Sequence, residues 1–259
     1  MKDTESITGE CALHRYELYL VFLEVRIQFE LGRYDECIEL CCRGLNLCAL
    51  YGEEPRPVFA RWLKRAEAYS GSAAKAAIAL ENQLDNPEAR LFYSEALFLS
   101  DQREKALRAL QPELFDLSSE PVYFEPAERM KWSTGFAQVE DRGIHGELLG
   151  LRIRAFRAYM QSILEETNFG IDELARITRE EKLSNIDPYN GLYFYYYACA
   201  IETASGVNNL DRLTALSKAL KYVQERAATM DNSADKLSYL RNNYFNSRIL
   251  EEAKASNLL

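Results

Sequence analysis

The stretch Leu31-Gly32-Arg33-Tyr34-Asp35-Glu36-Cys37-Ile38-Glu39-Leu40 decides the fold of this chain. On both sides of the turn, apolar residues recur at intervals of three and four, which is the spacing of an amphipathic helix. Gly32 stands between the two helical segments, where glycine suits a tight turn. The stretch therefore predicts two partner helices joined by a short turn.

The same alternation of helical segments and breakers continues along the chain. Asn86-Pro87 and Asp187-Pro188 each place a capping residue before a proline, as at the start of a helix. Long runs of alternating strand pattern are missing, so we predict an almost wholly α-helical protein. The predicted helices are residues 11–31, 34–50, 57–70, 73–84, 88–99, 102–114, 145–167, 170–183, 188–205, 209–229 and 233–255. They form five pairs, each about 34 residues long or somewhat longer, and a final helix.

The turn around Gly32 carries a motif. Tyr34 follows the glycine by two residues, an acidic pair and the small residue Cys37 come next, and Gly44-Leu45 follows seven residues after Cys37. In these residues the chain resembles the tetratricopeptide repeat family. A second match, from Asn86 to Leu107, lacks the turn glycine. The resemblance covers residues 14–114 and, more loosely, residues 145–230.

The resemblance implies a fold. It predicts a right-handed superhelical array of antiparallel helix pairs, an α-solenoid of about 11 helices. A lone pair cannot bury its apolar face, whereas stacked pairs build one continuous core. We therefore expect N-terminal helix pairs in residues 1–115, and degenerate pairs in residues 144–259 that end in a C-terminal capping helix.

Residues 116–143 interrupt the pattern between these two parts. Two prolines and several aromatic residues lie there, for example Pro121, Pro126 and Trp132. A connection of this length is unusual in a compact domain. One interpretation is a docking element that lies in the groove of the array, and the other is an irregular repeat whose aromatic residues fill the core.

Composition restricts the function. An apolar content of 47% with only 12 glycines and 7 prolines in 259 residues is typical of an ordered, core-forming protein. Acidic residues outnumber basic ones by 40 to 31, and a formal charge of -9 disfavours nucleic-acid binding. The N-terminus lacks an apolar leader, and no apolar run is long enough to span a bilayer. We expect a cytoplasmic protein without membrane insertion.

The cysteines and histidines give no sign of a metal or a catalytic site. Cys37, Cys41 and Cys48 share one helix face, which fits either a metal site or helix packing, and we favour packing because no CxxC pair exists. His14 and His145 are far apart in sequence, and no nucleotide-binding or nucleophile motif is found. We expect no cofactor and no enzymatic activity.

The resemblance also implies a binding surface, because first helices line the groove in this family and receive peptides or helices. Family members that clamp a terminal carboxylate use asparagines at places that Leu23, Lys64 and Phe92 occupy here, so we expect no such clamp. The candidate groove residues are Phe22, Arg26 and Phe29 from the first pair, Arg61, Lys64 and Arg65 from the second, and Phe92, Glu95 and Phe98 from the third.

Two further patches are candidates for partner binding. Arg154 and Arg157 share a helix face and could grip an acidic segment, or they could pair with neighbouring glutamates. The aromatic run 193–197 surrounds a helix, and its outward members, with Tyr193 and Tyr196 as the candidates, suit an interface.

The leading hypothesis is a non-catalytic adaptor that binds a segment of a protein or a peptide in its concave groove. The basic groove candidates would suit an acidic segment. A structural role through self-association or as a subunit of a larger complex is the first alternative. A regulatory protein that senses a peptide or ligand is the second alternative, and RNA binding is disfavoured by the charge.

Overall fold

The computed structural model describes residues 2–52, 54–111, 146–164, 168–180, 189–204 and 209–259. Helices account for nearly all of these ranges and no strand occurs in them, so the prediction of an all-α protein is confirmed. The α-helices are α1 (Lys2–Glu30), α2 (Tyr34–Leu50), α3 (Pro57–Glu67), α4 (Ala73–Leu80), α5 (Pro87–Leu99), α6 (Arg103–Ala109), α7 (Gly146–Leu164), α8 (Asn168–Glu180), α9 (Asn190–Thr203), α10 (Asn209–Ala228), α11 (Ser233–Arg241) and α12 (Tyr244–Ala255). A π-helical turn, Ala68–Ser72, links α3 to α4, and a 3-10 turn, Glu81–Gln83, follows α4.

Local sequence chemistry explains where several helices begin. The Asn86 side chain caps α5 by accepting a hydrogen bond from the Ala89 amide at 3.0 Å, as the Asn-Pro pair predicts. The prediction of one final helix over 233–255 is wrong. Asn243 leaves the helical conformation, and its side chain accepts from the amides of Phe245 and Asn246, so that a new helix starts there.

Contacts divide the chain into two compact units. Among the described residues, those up to 29 and from 34 to 100 belong to the first unit, and residues 30–33, 101–111 and 148 onwards belong to the second. The turn between α1 and α2 and all of α6 thus group with the second unit, although the sequence suggested a division after residue 115. The interruption predicted at residues 116–143 lies outside the described residues.

The core of the first unit forms where α2 packs on α3, and α3 and α4 pack on α5. Cys37, Cys41 and Cys48 are fully buried, as expected of cysteines that pack α2 against its neighbours. A hydrogen bond with Cys37, together with burial, raises the pKa of the Cys41 thiol above its usual value. Gly44 lies so close to the Phe59 ring that a Cβ there would stand 2.5 Å from it.

The second unit is built around α9, which contacts α8, α10 and α12. Ten of its fourteen residues are buried, as expected of a helix that neighbours pack against on several sides. Helices α7 and α8 approach closely at Gly170, where a Cβ would lie 2.3 Å from the carbonyl oxygen of Ala158. None of the helices within the described ranges has the length and apolarity needed to cross a membrane.

The turn Glu30–Arg33 is held by α11 and α12 within the second unit. The Asn243 side-chain Nδ2 donates to the Glu30 carbonyl at 2.9 Å, and the Ser238 hydroxyl donates to the Leu31 carbonyl at 2.9 Å. Gly32 has a φ of 73° and touches the backbone of residues 242 and 243. The glycine that the sequence singled out therefore serves both as a turn residue and as a point of close backbone contact.

Candidate interaction surfaces

Most of the predicted groove residues form the core of the first unit. The six buried ones are Phe22, Phe29, Arg61, Arg65, Phe92 and Glu95. Because they are buried, they line no open groove, and that expectation is corrected. The other three, Arg26, Lys64 and Phe98, are half-buried. The Lys64 ammonium lies 2.8 Å from the Glu67 carboxylate on its own helix.

Arg65 stands at the centre of this core and is only 1% exposed. Its guanidinium donates to both carboxylate oxygens of Glu95, at 2.8 and 3.0 Å. The same group lies 4.2 Å from the centre of the Phe29 ring and 4.4 Å from that of Phe92. A bidentate ion pair between aromatic faces satisfies a charge that would otherwise be costly to bury.

A second buried ion pair lies one turn earlier on α3. The Arg61 Nε donates to one Glu88 oxygen at 3.1 Å, and the Trp62 indole donates to the other at 3.3 Å. Arginines at 61 and 65 thus face glutamates at 88 and 95, which join α3 to α5. The two helices carry complementary charge, but only their packing shows that the arginines lie in a core.

Arg154 on α7 forms an ion pair inside the second unit. Arg154 donates to Glu173 on α8 at 3.0 Å, and Arg176 donates to the same carboxylate. Burial alone would raise the pKa of Glu173, but the hydrogen bonds from Arg176 and Arg154 outweigh it, so that the pKa lies below its usual value. This is the pairing with a neighbouring glutamate that was one of the two interpretations. Arg157 is half-buried.

The tyrosine run on α9 is almost wholly interior. Tyr193 and Tyr196 are buried, so the expectation that they face outwards is corrected. Tyr196 stacks on Tyr159 with the ring centres 4.5 Å apart. The Tyr195 hydroxyl donates to Glu252 at 2.7 Å. Burial and, to a smaller extent, this hydrogen bond raise the pKa of Tyr195 above its usual value. Tyr197, which is half-buried, is the member that reaches the surface.

The first surface that the sequence analysis missed runs along α1 and is termed the α1 stripe. Its exposed members are between 41% and 68% accessible and are Leu13, Tyr16, Leu20 and Ile27. With the half-buried Leu23 they follow each other at intervals of three, four, three and four residues, which is the a/d spacing of a coiled-coil helix. The opposite face of α1 is buried in the first unit, for example at Leu18 and Val25.

One edge of the α1 stripe is acidic. Glu17 and Glu24 follow Leu13 and Leu20 by four residues each, so they border the stripe on the same side. Glu17 is hydrogen-bonded to the Tyr51 hydroxyl and lies 3.4 Å from Arg43. Glu24 is exposed and forms no ion pair with any described residue.

The second missed surface is a cleft in the second unit, termed the α9 cleft, with a volume of about 130 Å³. Helices α8, α9 and α10 supply its walls. The lining residues are Thr178, Arg179, Phe194, Tyr197, Asp211, Thr214, Ala215 and Lys218. The aromatic run 193–197 is the only sequence feature noted near this cleft, because helix spacing does not show that residues of α8 and α10 line it together with α9.

The comparisons with known proteins concern mainly the second unit. The described residues form an all-helical structure, and no group of three or more possible metal ligands occurs among them. Residues 142–257, which include α7 to α12, are similar to the family TP_0123_C, whose model is described as a C-terminal domain. No curated protein and no solved structure matches the chain.

Proposed function

We propose that this chain is a non-catalytic, tetratricopeptide-like scaffold of stacked helix pairs, which binds an α-helical segment of a partner protein along the α1 stripe. The single observation that carries the proposal is the exposure of an apolar face on a helix whose opposite face is already buried. Neighbouring helices that pack in pairs support the repeat-like part of the proposal.

The spacing of the stripe supports a helical occupant rather than an extended one. Side chains at a and d positions form one narrow line on a helix, and such a line packs into the matching line of a second helix. The stripe from Leu13 to Ile27 spans two heptads, so a partner helix of about four turns would cover it. Peptide recognition by helix packing commonly uses anchors at this spacing.

Charge favours a different protein over a second copy of this chain. A second copy would bring another net charge of -9 to the surface and a second set of the glutamates that border the stripe. Like charges at an interface are costly, whereas lysine or arginine beside Glu17 and Glu24 would be favourable. The proposed occupant is therefore an amphipathic helix of another protein, with leucine or isoleucine at a and d positions and basic residues beside them.

A charge within the stripe should abolish this binding. We expect Leu20→Glu to weaken binding of a labelled 21-residue peptide, with leucine at a and d and lysine beside them, by about 10- to 100-fold in fluorescence anisotropy. The loss corresponds to the burial of one leucine, about 1.5–3 kcal/mol. Ile78→Glu is the matched control, because Ile78 is 71% exposed on α4, outside the stripe, and its replacement should leave the affinity unchanged.

The peptides and the oligomeric state give the decisive contrasts. A peptide of the same composition with its leucines out of heptad spacing should bind weakly, and one with glutamates beside the leucines should bind at least about tenfold less well. Equal binding of the heptad and scrambled peptides would reject the stripe as a helix-binding surface. A dimer in sedimentation equilibrium that Leu20→Glu dissociates would instead identify a second copy as the occupant.

A further inference from the structure

We infer that the α9 cleft binds a single carboxylate group carried by an acidic peptide segment. This site lies in the second unit, is formed by other residues than the α1 stripe and does not depend on the function proposed for that stripe. The cleft combines two cations, three hydroxyls and one carboxylate from three helices.

The charge of the cleft has the opposite sign to that of the chain. Arg179 and Lys218 contribute two positive charges and Asp211 one negative charge, so the cleft carries a net +1 in a protein of net charge -9. Within the described ranges, neither Arg179 nor Lys218 forms an ion pair with an acidic side chain. Because Asp211 offsets only one of the two positive charges, the remaining +1 favours an anion from outside.

The side chain of Lys218 contacts an aromatic ring that lines the cleft. The Lys218 ammonium lies 5.3 Å from the centre of the Phe194 ring, within the range of a cation–π contact. The Phe194 ring in turn stacks on Tyr222, with centres 5.6 Å apart and planes 16° apart. Lys218 is exposed, and the cation–π contact favours a position of its ammonium group beside the Phe194 ring.

Of the three hydroxyl groups that line the cleft, one has no hydrogen-bond partner among the described residues and can donate to a ligand. Thr178 donates to the Leu174 carbonyl at 2.9 Å, and Thr214 donates to the Leu210 carbonyl at 2.8 Å, so both protons are used inside the helices. The Tyr197 hydroxyl makes no hydrogen bond to any described residue and lines the same cleft. It can donate to a carboxylate oxygen while the two cations provide the charge.

Asp211 explains why the ligand should be a monoanion. A group with two negative charges, such as a phosphate monoester, would place its second charge in a cleft that already contains a carboxylate. A single carboxylate balances the net +1 and leaves Asp211 available for a basic residue next to it in the segment. The source of the carboxylate is either an Asp or Glu side chain or the C-terminus of the segment, and the probes below separate the two.

The test uses the full-length ¹⁵N-labelled protein and three hexapeptides with acetylated N-termini. The first has a central Glu and an amidated C-terminus, the second has Gln in place of Glu, and the third has Gln with a free C-terminus. The Glu peptide should shift the amide signals of residues lining the cleft, such as Phe194 and Thr214, and bind at least about tenfold more tightly than the amidated Gln peptide. Binding of the third peptide in place of the first would assign the C-terminus as the source.

Variants connect the binding to the cleft. Lys218→Gln should weaken binding of whichever peptide carries the recognised carboxylate by about tenfold, and Tyr197→Phe should weaken it several-fold. Lys221→Gln, which is on the same helix but pairs with Glu225, should leave the affinity unchanged. Equal binding of all three peptides, an equal loss in Lys218→Gln and Lys221→Gln, or inorganic phosphate that competes more strongly than acetate would overturn the inference. Leu20→Glu should have no effect here, which separates this site from the α1 stripe.

Discussion

Replacing Gly32 by alanine is expected to lower the free energy of unfolding by about 2–5 kcal/mol. Gly32 has a φ of 73°, and an L-residue in that left-handed region is strained by about 1–2 kcal/mol. In addition, the new Cβ would stand 2.2 Å from the Asn243 nitrogen and 2.3 Å from the Asn242 carbonyl carbon. Because both atoms belong to the backbone, they move only with the helices attached to them, and overpacking of this kind costs about 1–3 kcal/mol more.

Gly52→Ala is the matched control for this variant. Gly52 has a similar φ of 66°, but apart from its chain neighbours no atom of the described residues lies within 4 Å of the position of its Cβ. Its replacement should therefore show the backbone strain alone, about 1–2 kcal/mol. Urea unfolding followed by circular dichroism measures both losses. If the two variants are destabilised equally, the contact of Gly32 with residues 242–243 adds nothing to stability.

Removing the charge of Arg65 should destabilise the protein by about 3–5 kcal/mol. In Arg65→Met the side chain keeps an apolar body of similar length, so the change mainly removes the charge. The Glu95 carboxylate then stays buried without its bidentate partner, and an uncompensated buried charge has a cost of this size. The contacts of the guanidinium with Phe29 and Phe92 are lost at the same time.

The double variant Arg65→Met, Glu95→Leu tests whether this loss comes from the unpaired charge. Replacing a buried ion pair by apolar residues of similar volume is often neutral or stabilising, so the double variant should recover most of the lost stability. Urea unfolding of the wild type, both single variants and the double variant completes the double-mutant cycle. A double variant that is as unstable as Arg65→Met alone would show that packing, and not charge, dominates at this position.

The sequence predicts the helices well because their signals are local. Apolar spacing, the glycine at 32 and the Asn-Pro pair at 86 act within one or two helical turns, so they need no knowledge of distant residues. The division of the last predicted helix was missed because Asn243 caps only when the chain leaves the helix before it. An asparagine inside an apolar pattern does not show this by itself.

The burial of the candidate groove residues was predicted poorly because their environment depends on distant parts of the chain. Charged residues are usually exposed, so Arg61 and Arg65 looked like groove residues. Their partners Glu88 and Glu95 lie 27 and 30 residues further along, and only the packing of α3 on α5 brings them together. In α1, by contrast, exposed apolar residues were missed. This helix is apolar on both faces, and its sequence does not show which face is buried in the first unit.

The hydrogen bonds around the turn Glu30–Arg33 also bear on how the protein is made. Asn243 and Glu30, which they join, are 213 residues apart in the chain. At a synthesis rate of about 5–20 residues per second, a ribosome needs about 10–40 s to proceed from one to the other. During this interval the hydrogen bonds that Glu30 and Leu31 accept from Asn243 and Ser238 cannot form. The turn between α1 and α2 therefore gains these contacts only when the last helices have emerged.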